Sequence, residues 1–96
     1  MAIDSVLQGR REEILEIAHR YGANNVRVFG SRARGEGRPD SDFDILITVG
    51  ERTSLLDIIA IKQDLEDLLG SSVHVATEDA ISPYIREKVL RQAIAL

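Results

Sequence analysis

The sequence predicts an α+β fold: a small mixed sheet of three to four strands with helices packed mainly on one face. Two observations predict it. Short runs rich in Val and Ile alternate with amphipathic stretches in the order α-β-β-α-β-α. Each run also keeps its apolar residues on one face, so the sheet can bury one side against helices and leave the other side for polar groups. At 96 residues, with no repeat, linker or low-complexity segment, residues 1–96 read as one domain.

The elements follow from local chemistry. Asp4 or Ser5 caps a first helix, and Ser5-x-x-Gln8 has the form of a capping box. Val6, Leu7, Ile14, Leu15, Ile17 and Ala18 keep helical spacing up to Tyr21-Gly22, with Gly9 a weak point near the start. Val26 to Phe29 is a short β-branched strand, and Gly30 to Gly35 turns away from it. Residues 36–40 form a loop, and Asp42 to Val49 reads as the second strand. Along it Phe43, Ile45, Ile47 and Val49 face one way, whereas Asp42, Asp44, Leu46 and Thr48 face the other. Thr53 or Ser54 caps a helix expected to bury Leu55, Ile58, Ile59, Leu65, Leu68 and Leu69, and Gly70 stops it. Ser72 to Ala76 is a third strand with His74 opposite Val73 and Val75. Ser82-Pro83 opens a last helix, with Ile85, Val89, Leu90 and Ile94 as its apolar face.

Composition excludes several classes of function. Hydrophobic residues make up 44% of the chain, which rules out disorder, and with two Phe, two Tyr and no Trp the core must be aliphatic. The absence of cysteine removes disulfides, zinc–thiolate sites and thiol catalysis, and it fits a reducing cytoplasm. The longest apolar run, Leu55 to Ile61, is interrupted by Asp57 and is too short for a membrane span; no secretory signal pattern precedes it. The net charge of −4 argues against a long nucleic-acid track, and the local cluster Arg27, Arg32, Arg34 and Arg38 suits a small phosphorylated ligand.

The chemistry concentrates between residues 30 and 44. A Gly30-Ser31 turn offers backbone N–H groups and a hydroxyl to phosphate oxygens, and Arg34 is placed to neutralise charge that develops on them. Asp42 and Asp44, two apart on a strand, project to one face and can share a divalent cation such as Mg²⁺ or Mn²⁺. Ser41 can orient Asp42 or bind phosphate itself. Singly, a Gly-Ser turn, an Asp-x-Asp pair and an arginine cluster are ordinary surface features. Together, between two short strands, they describe a nucleoside triphosphate site.

The pattern Gly30-Ser-x-Ala33-Arg34-Gly35-x5-Ser41-Asp42-x-Asp44 resembles the signature of the DNA polymerase β-type nucleotidyltransferase superfamily. Chain length, element order and Ser82-Pro83-Tyr84-Ile85-Arg86 resemble its minimal nucleotidyltransferase branch, whose members are antitoxins of HEPN–MNT toxin–antitoxin pairs. The resemblance implies that Gly30 and Ser31 bind the triphosphate, and that Asp42 and Asp44 hold the metal. It further implies transfer of AMP from ATP to a tyrosine of a HEPN toxin partner. An acceptor that arrives on another protein agrees with a chain that has no room for an acceptor-binding domain. The acidic balance argues against small-molecule and RNA-end acceptors. Exposed sheet edges leave homo-oligomers open as well.

One position departs from the pattern. The superfamily places a third carboxylate on the strand matching residues 72–76, where this chain reads Val73-His74-Val75. Imidazole suits softer metals than Mg²⁺, yet it can act as a general base. His74 is therefore a candidate catalytic residue beside Asp42 and Asp44, and its presence admits a rival: an inactive, nucleotide-binding antitoxin that neutralises by docking. Glu78 and Asp79, just beyond the strand, are possible replacements for the missing acid. His19 reads as an ordinary surface or partly packed residue, and Tyr21 and Tyr84 read as packing residues.

Overall fold

The computed structural model describes residues 5–33 and 42–96. The elements are α1 (Ser5–Gly9), α2 (Arg11–Arg20), β1 (Ala23–Phe29), β2 (Phe43–Val49), α3 (Leu55–Leu69), β3 (Val73–Thr77), a 3₁₀ turn (Glu78–Ala80), α4 (Pro83–Gln92) and β4 (Ile94–Ala95). The expected α+β fold is observed, with a mixed sheet in the order β3-β2-β1-β4. β1 runs antiparallel to β2 and β4, while β2 and β3 are parallel because α3 carries the chain back over the sheet.

The first expected helix is two. The chain turns at Gly9-Arg10, where the Arg10 N–H donates to the Val6 and Leu7 carbonyls at 3.1 and 3.3 Å, and α2 starts afresh. Gly9 is the poorest helix former of the segment, so the break falls there. It lets Leu7 join Ile14, Ile17 and Ala18 in the core. β1 also begins earlier than expected, at Ala23. The pairing with β2 shifts between Asn24 and Arg27, and Asn25 sits at φ 50. Asn-Asn reads as a turn in sequence, but asparagine tolerates the left-handed geometry of a bulge and the strand absorbs it.

The core lies between one sheet face and the pair α2 and α3. Val26 and Val28 of β1, Phe43, Ile45 and Ile47 of β2 and Val73 of β3 meet Ile14, Ile17, Ile61 and Leu65. Tyr21, at the end of α2, packs on this core and donates from its hydroxyl to Asp64 of α3 at 2.9 Å. That bond and the nearby carboxylate hold the phenol above its ordinary value, because both disfavour a phenolate there.

Two helices depart from expectation. α3 is capped by Ser54, whose hydroxyl accepts from the Asp57 N–H at 3.3 Å while the Asp57 carboxylate accepts from the Ser54 N–H at 3.0 Å. It buries Ile61 and Leu65, but Leu55 is 72% exposed, Leu56 75% and Ile59 42%. Leu56 and Ile59 lie off the stripe of Ile61, Leu65 and Leu68 that meets the core, and Leu55 stands in the first turn. α4 starts at Ser82-Pro83 as expected, with the Tyr84 N–H on the Ser82 hydroxyl at 3.4 Å, yet it has no buried residue. Tyr84 is 97% exposed, so it is not a packing residue, and Ile94 belongs to β4, not to this helix.

Candidate functional site

The face of the sheet turned away from the core carries the predicted acids. Phe29 pairs with Asp44, and Asp44 pairs with His74, so three strands place these residues in one row. Arg27, Leu46 and Ala76 form the next row. Leu46 faces away from the core as expected, yet it is fully buried. The open face is thus closed at that row and accessible at the row of Asp44 and His74.

β2 is preceded by Asp42, whose Oδ2 lies 3.1 Å from His74 Nε2. Both side chains remain more than half exposed, Asp42 at 52% and His74 at 64%. The pairing follows from strand register: the Phe43 N–H bonds the Ser72 carbonyl at 3.0 Å, which sets Asp42 beside the start of β3. Glu66 of α3 fixes that start from below. Its carboxylate accepts from the Val73 N–H at 3.1 Å and from Lys62 Nζ at 2.9 Å. The Lys62 bond first, and then the Val73 N–H, hold the Glu66 carboxyl below its ordinary range. His74 is therefore presented by a strand anchored one residue before it.

The turn after β1 meets these acids closely. Gly30 adopts φ 76, and a Cβ there would strike the Asp44 carboxylate. Glycine is required on both counts. The Ala33 N–H closes the turn on the Gly30 carbonyl at 3.2 Å, with Ser31 half-buried within it. Gly30, Ser31, Asp42, Asp44 and His74 thus gather at one end of the sheet. Arg34 and Ser41, predicted to bind phosphate, lie outside the described residues, as do Gly35 and Arg38.

Two of the four arginines read as a phosphate-binding cluster serve the fold instead. Arg32 is 4% exposed, and its guanidinium lies 3.8 Å from the centroid of the Phe43 ring. Arg27 donates to the Asn25 carbonyl at 3.0 Å and the Thr48 hydroxyl at 3.2 Å, and pairs with Glu78 at 2.6 Å. Glu78 also lies 3.9 Å from Arg86 of α4. That pairing argues against Glu78 as a substitute for the expected third acid: it is engaged elsewhere, and three strand residues lie between it and His74, a span of four steps or about 13 Å. Phe29, the hydrophobic end of the acidic row, was not singled out by sequence; only the β1–β2 register identifies it.

The nucleotidyltransferase domain family matches residues 11–96, which contain the whole sheet and every residue of this row. The chain belongs to that family. It is 38% identical over 92 residues to the protein adenylyltransferase MntA of Thermococcus cleftensis, covering 96% of this chain and 90% of that one. A solved structure described as a minimal nucleotidyltransferase superposes with a TM-score of 0.87 at 48% identity, over 98% of this chain and 97% of the other. The fold alone is shared with two more distant structures. One is a toxin–antitoxin complex with AMP-PNP, with a TM-score of 0.75 at 20% identity, covering 88% of this chain and 69% of that one. The other is a tri-AMPylated HEPN toxin of Shewanella oneidensis in complex with its MNT antitoxin, with a TM-score of 0.70 at 18% identity, over 92% and 69%.

In this nucleotidyltransferase Asp42, Asp44 and His74 bring two carboxylates and one imidazole to the same end of the sheet. Among the described residues, no three His, Asp or Glu side chains are already gathered into a metal cage. Mg²⁺ is commonly held by one or two carboxylates, with phosphate oxygens and waters completing its octahedron. Among the described residues, no helix is long and apolar enough to cross a membrane.

Proposed function

We propose that this nucleotidyltransferase transfers AMP from ATP to a side-chain hydroxyl, a tyrosine, of a HEPN toxin, and so acts as its antitoxin. The observation that carries the reading is the convergence of Asp42, Asp44 and His74 on the exposed end of the sheet, against the tight Gly30 turn. The relative named protein adenylyltransferase, and the complexes whose toxin is AMPylated or whose nucleotide is AMP-PNP, support the same reaction and the same class of partner.

The reaction joins the acceptor oxygen to the α-phosphorus of ATP and breaks the bond to the leaving pyrophosphate. Gly30 lets the triphosphate approach the backbone beside Asp44, and the Ser31 hydroxyl is available to a phosphate oxygen. Arg34 and Ser41 complete the phosphate contacts in this reading. Asp42 and Asp44 hold a divalent cation, Mg²⁺ or Mn²⁺, which when bound neutralises the triphosphate and the departing pyrophosphate. The acceptor hydroxyl gives up its proton on this exposed face, to His74 Nε2 or to solvent, because no third carboxylate stands in the row.

That same vacancy favours a second reading. Without the third acid, the protein binds nucleotide but neutralises its partner by docking. The two separate with labelled ATP, divalent metal and the HEPN partner. Transfer of label by the native protein that disappears in Asp42→Asn supports catalysis. Label absent from the native protein but restored by His74→Asp identifies the docking form.

A further inference from the structure

We propose that His74 is a metal ligand, and that it tunes the site away from Mg²⁺ toward a first-row transition ion such as Mn²⁺. The inference rests on the nucleotidyltransferase reading and concerns which cation serves it.

The geometry points to ligation. Neighbouring ligands on an octahedral ion, with bonds of about 2.0–2.2 Å, stand about 2.8–3.1 Å apart. Asp42 Oδ2 and His74 Nε2 are 3.1 Å apart, the distance of the hydrogen bond between them and also that of two neighbouring ligands, so an ion that displaces the shared hydrogen can take both after small side-chain rotations. Backbone contacts set the two residues side by side. Asp44 and His74 are register partners, Phe43 is bonded to Ser72, and Glu66 holds the Val73 N–H directly before His74. More than half of each side chain is open to solvent, so an ion and the polyphosphate it carries can enter.

The chemistry then sets the preference. Mg²⁺ favours an all-oxygen shell and gains little from a neutral nitrogen, whereas Mn²⁺ and later first-row ions accept imidazole readily. Replacing a carboxylate by an imidazole also removes one negative charge, which weakens the hold on a hard ion more than on a softer one. Ligation uses the Nε2 lone pair. In this state His74 is not the base, and the acceptor proton passes to water at the open face.

The test uses Mn²⁺ and inorganic tripolyphosphate, which contains no nitrogen, with the full-length protein. Electron spin-echo measurements on bound Mn²⁺ report a directly coupled ¹⁴N in the native protein and none in His74→Asp. Competition titrations give a Mn²⁺-to-Mg²⁺ affinity ratio that falls roughly tenfold or more in His74→Asp, the scale expected when a ligand's donor type changes. Circular dichroism verifies that the variant is folded, and His74→Gln, which also lacks the imidazole, repeats the loss of ¹⁴N coupling. Mn²⁺ bound with polyphosphate but without coupled nitrogen, or an unchanged affinity ratio, overturns the proposal and leaves the nucleotidyltransferase reading intact. Failure of any divalent ion to bind with polyphosphate overturns both.

Discussion

Gly30 answers to two constraints at once, a left-handed backbone and the carboxylate of Asp44 where its own Cβ would be. Gly30→Ala is expected to lose about 1–3 kcal/mol of stability, the usual cost of a non-glycine residue in that region, plus any cost of displacing Asp44. Urea unfolding gives the first quantity, and weaker nucleotide binding in the folded variant reports the second. The site was legible at this scale wherever chemistry follows strand period. Asp42, Asp44 and His74 were placed on one face from alternation alone, and the sheet register confirms the face. The arginines were not legible. Nothing in the sequence separates an arginine that meets phosphate from Arg32, which stacks on Phe43, or Arg27, which is locked to Glu78. Those roles depend on which strands become neighbours.

Among elements, β3 depends on α3 for its placement. The Glu66 carboxyl is depressed in the folded chain, so its contribution is present above the ordinary value of 4.5 and disappears as pH falls through the lower folded value. Glu66→Gln should therefore be less stable than the native protein at neutral pH, with the gap closing in acid. Chemical denaturation across that range measures it, and amide exchange at Val73 localises it. Helix packing was only half legible. Periodicity finds an apolar stripe but not how much of it meets a surface, so Leu55, Ile59 and Tyr84 read as buried and are exposed. Leu65→Ala, in the core, is expected to cost about 2–5 kcal/mol, while Tyr84→Ala should stay within about 0.5 kcal/mol of native in thermal unfolding.

Across the molecule, the order of elements and the sheet with helices on one face could be read from the sequence, because binary pattern and turn chemistry agree through most of the chain. The exceptions are the break at Gly9, set by local propensity, and the bulge at Asn25 and short C-terminal strand β4, both decided by pairing with residues distant in sequence. The resulting sheet brings a glycine turn and two aspartates to one exposed end and places a histidine where the sequence resemblance led to the expectation of a third acid. Transfer of AMP is the activity proposed for this end. Its most direct test is intact-mass analysis of the HEPN partner after incubation with the native protein, ATP and Mn²⁺, alongside released pyrophosphate. One pyrophosphate is expected for each AMP added, with the AMP on a tyrosine hydroxyl and neither product formed by Asp42→Asn. A partner that is bound and silenced while its mass stays unchanged would contradict it.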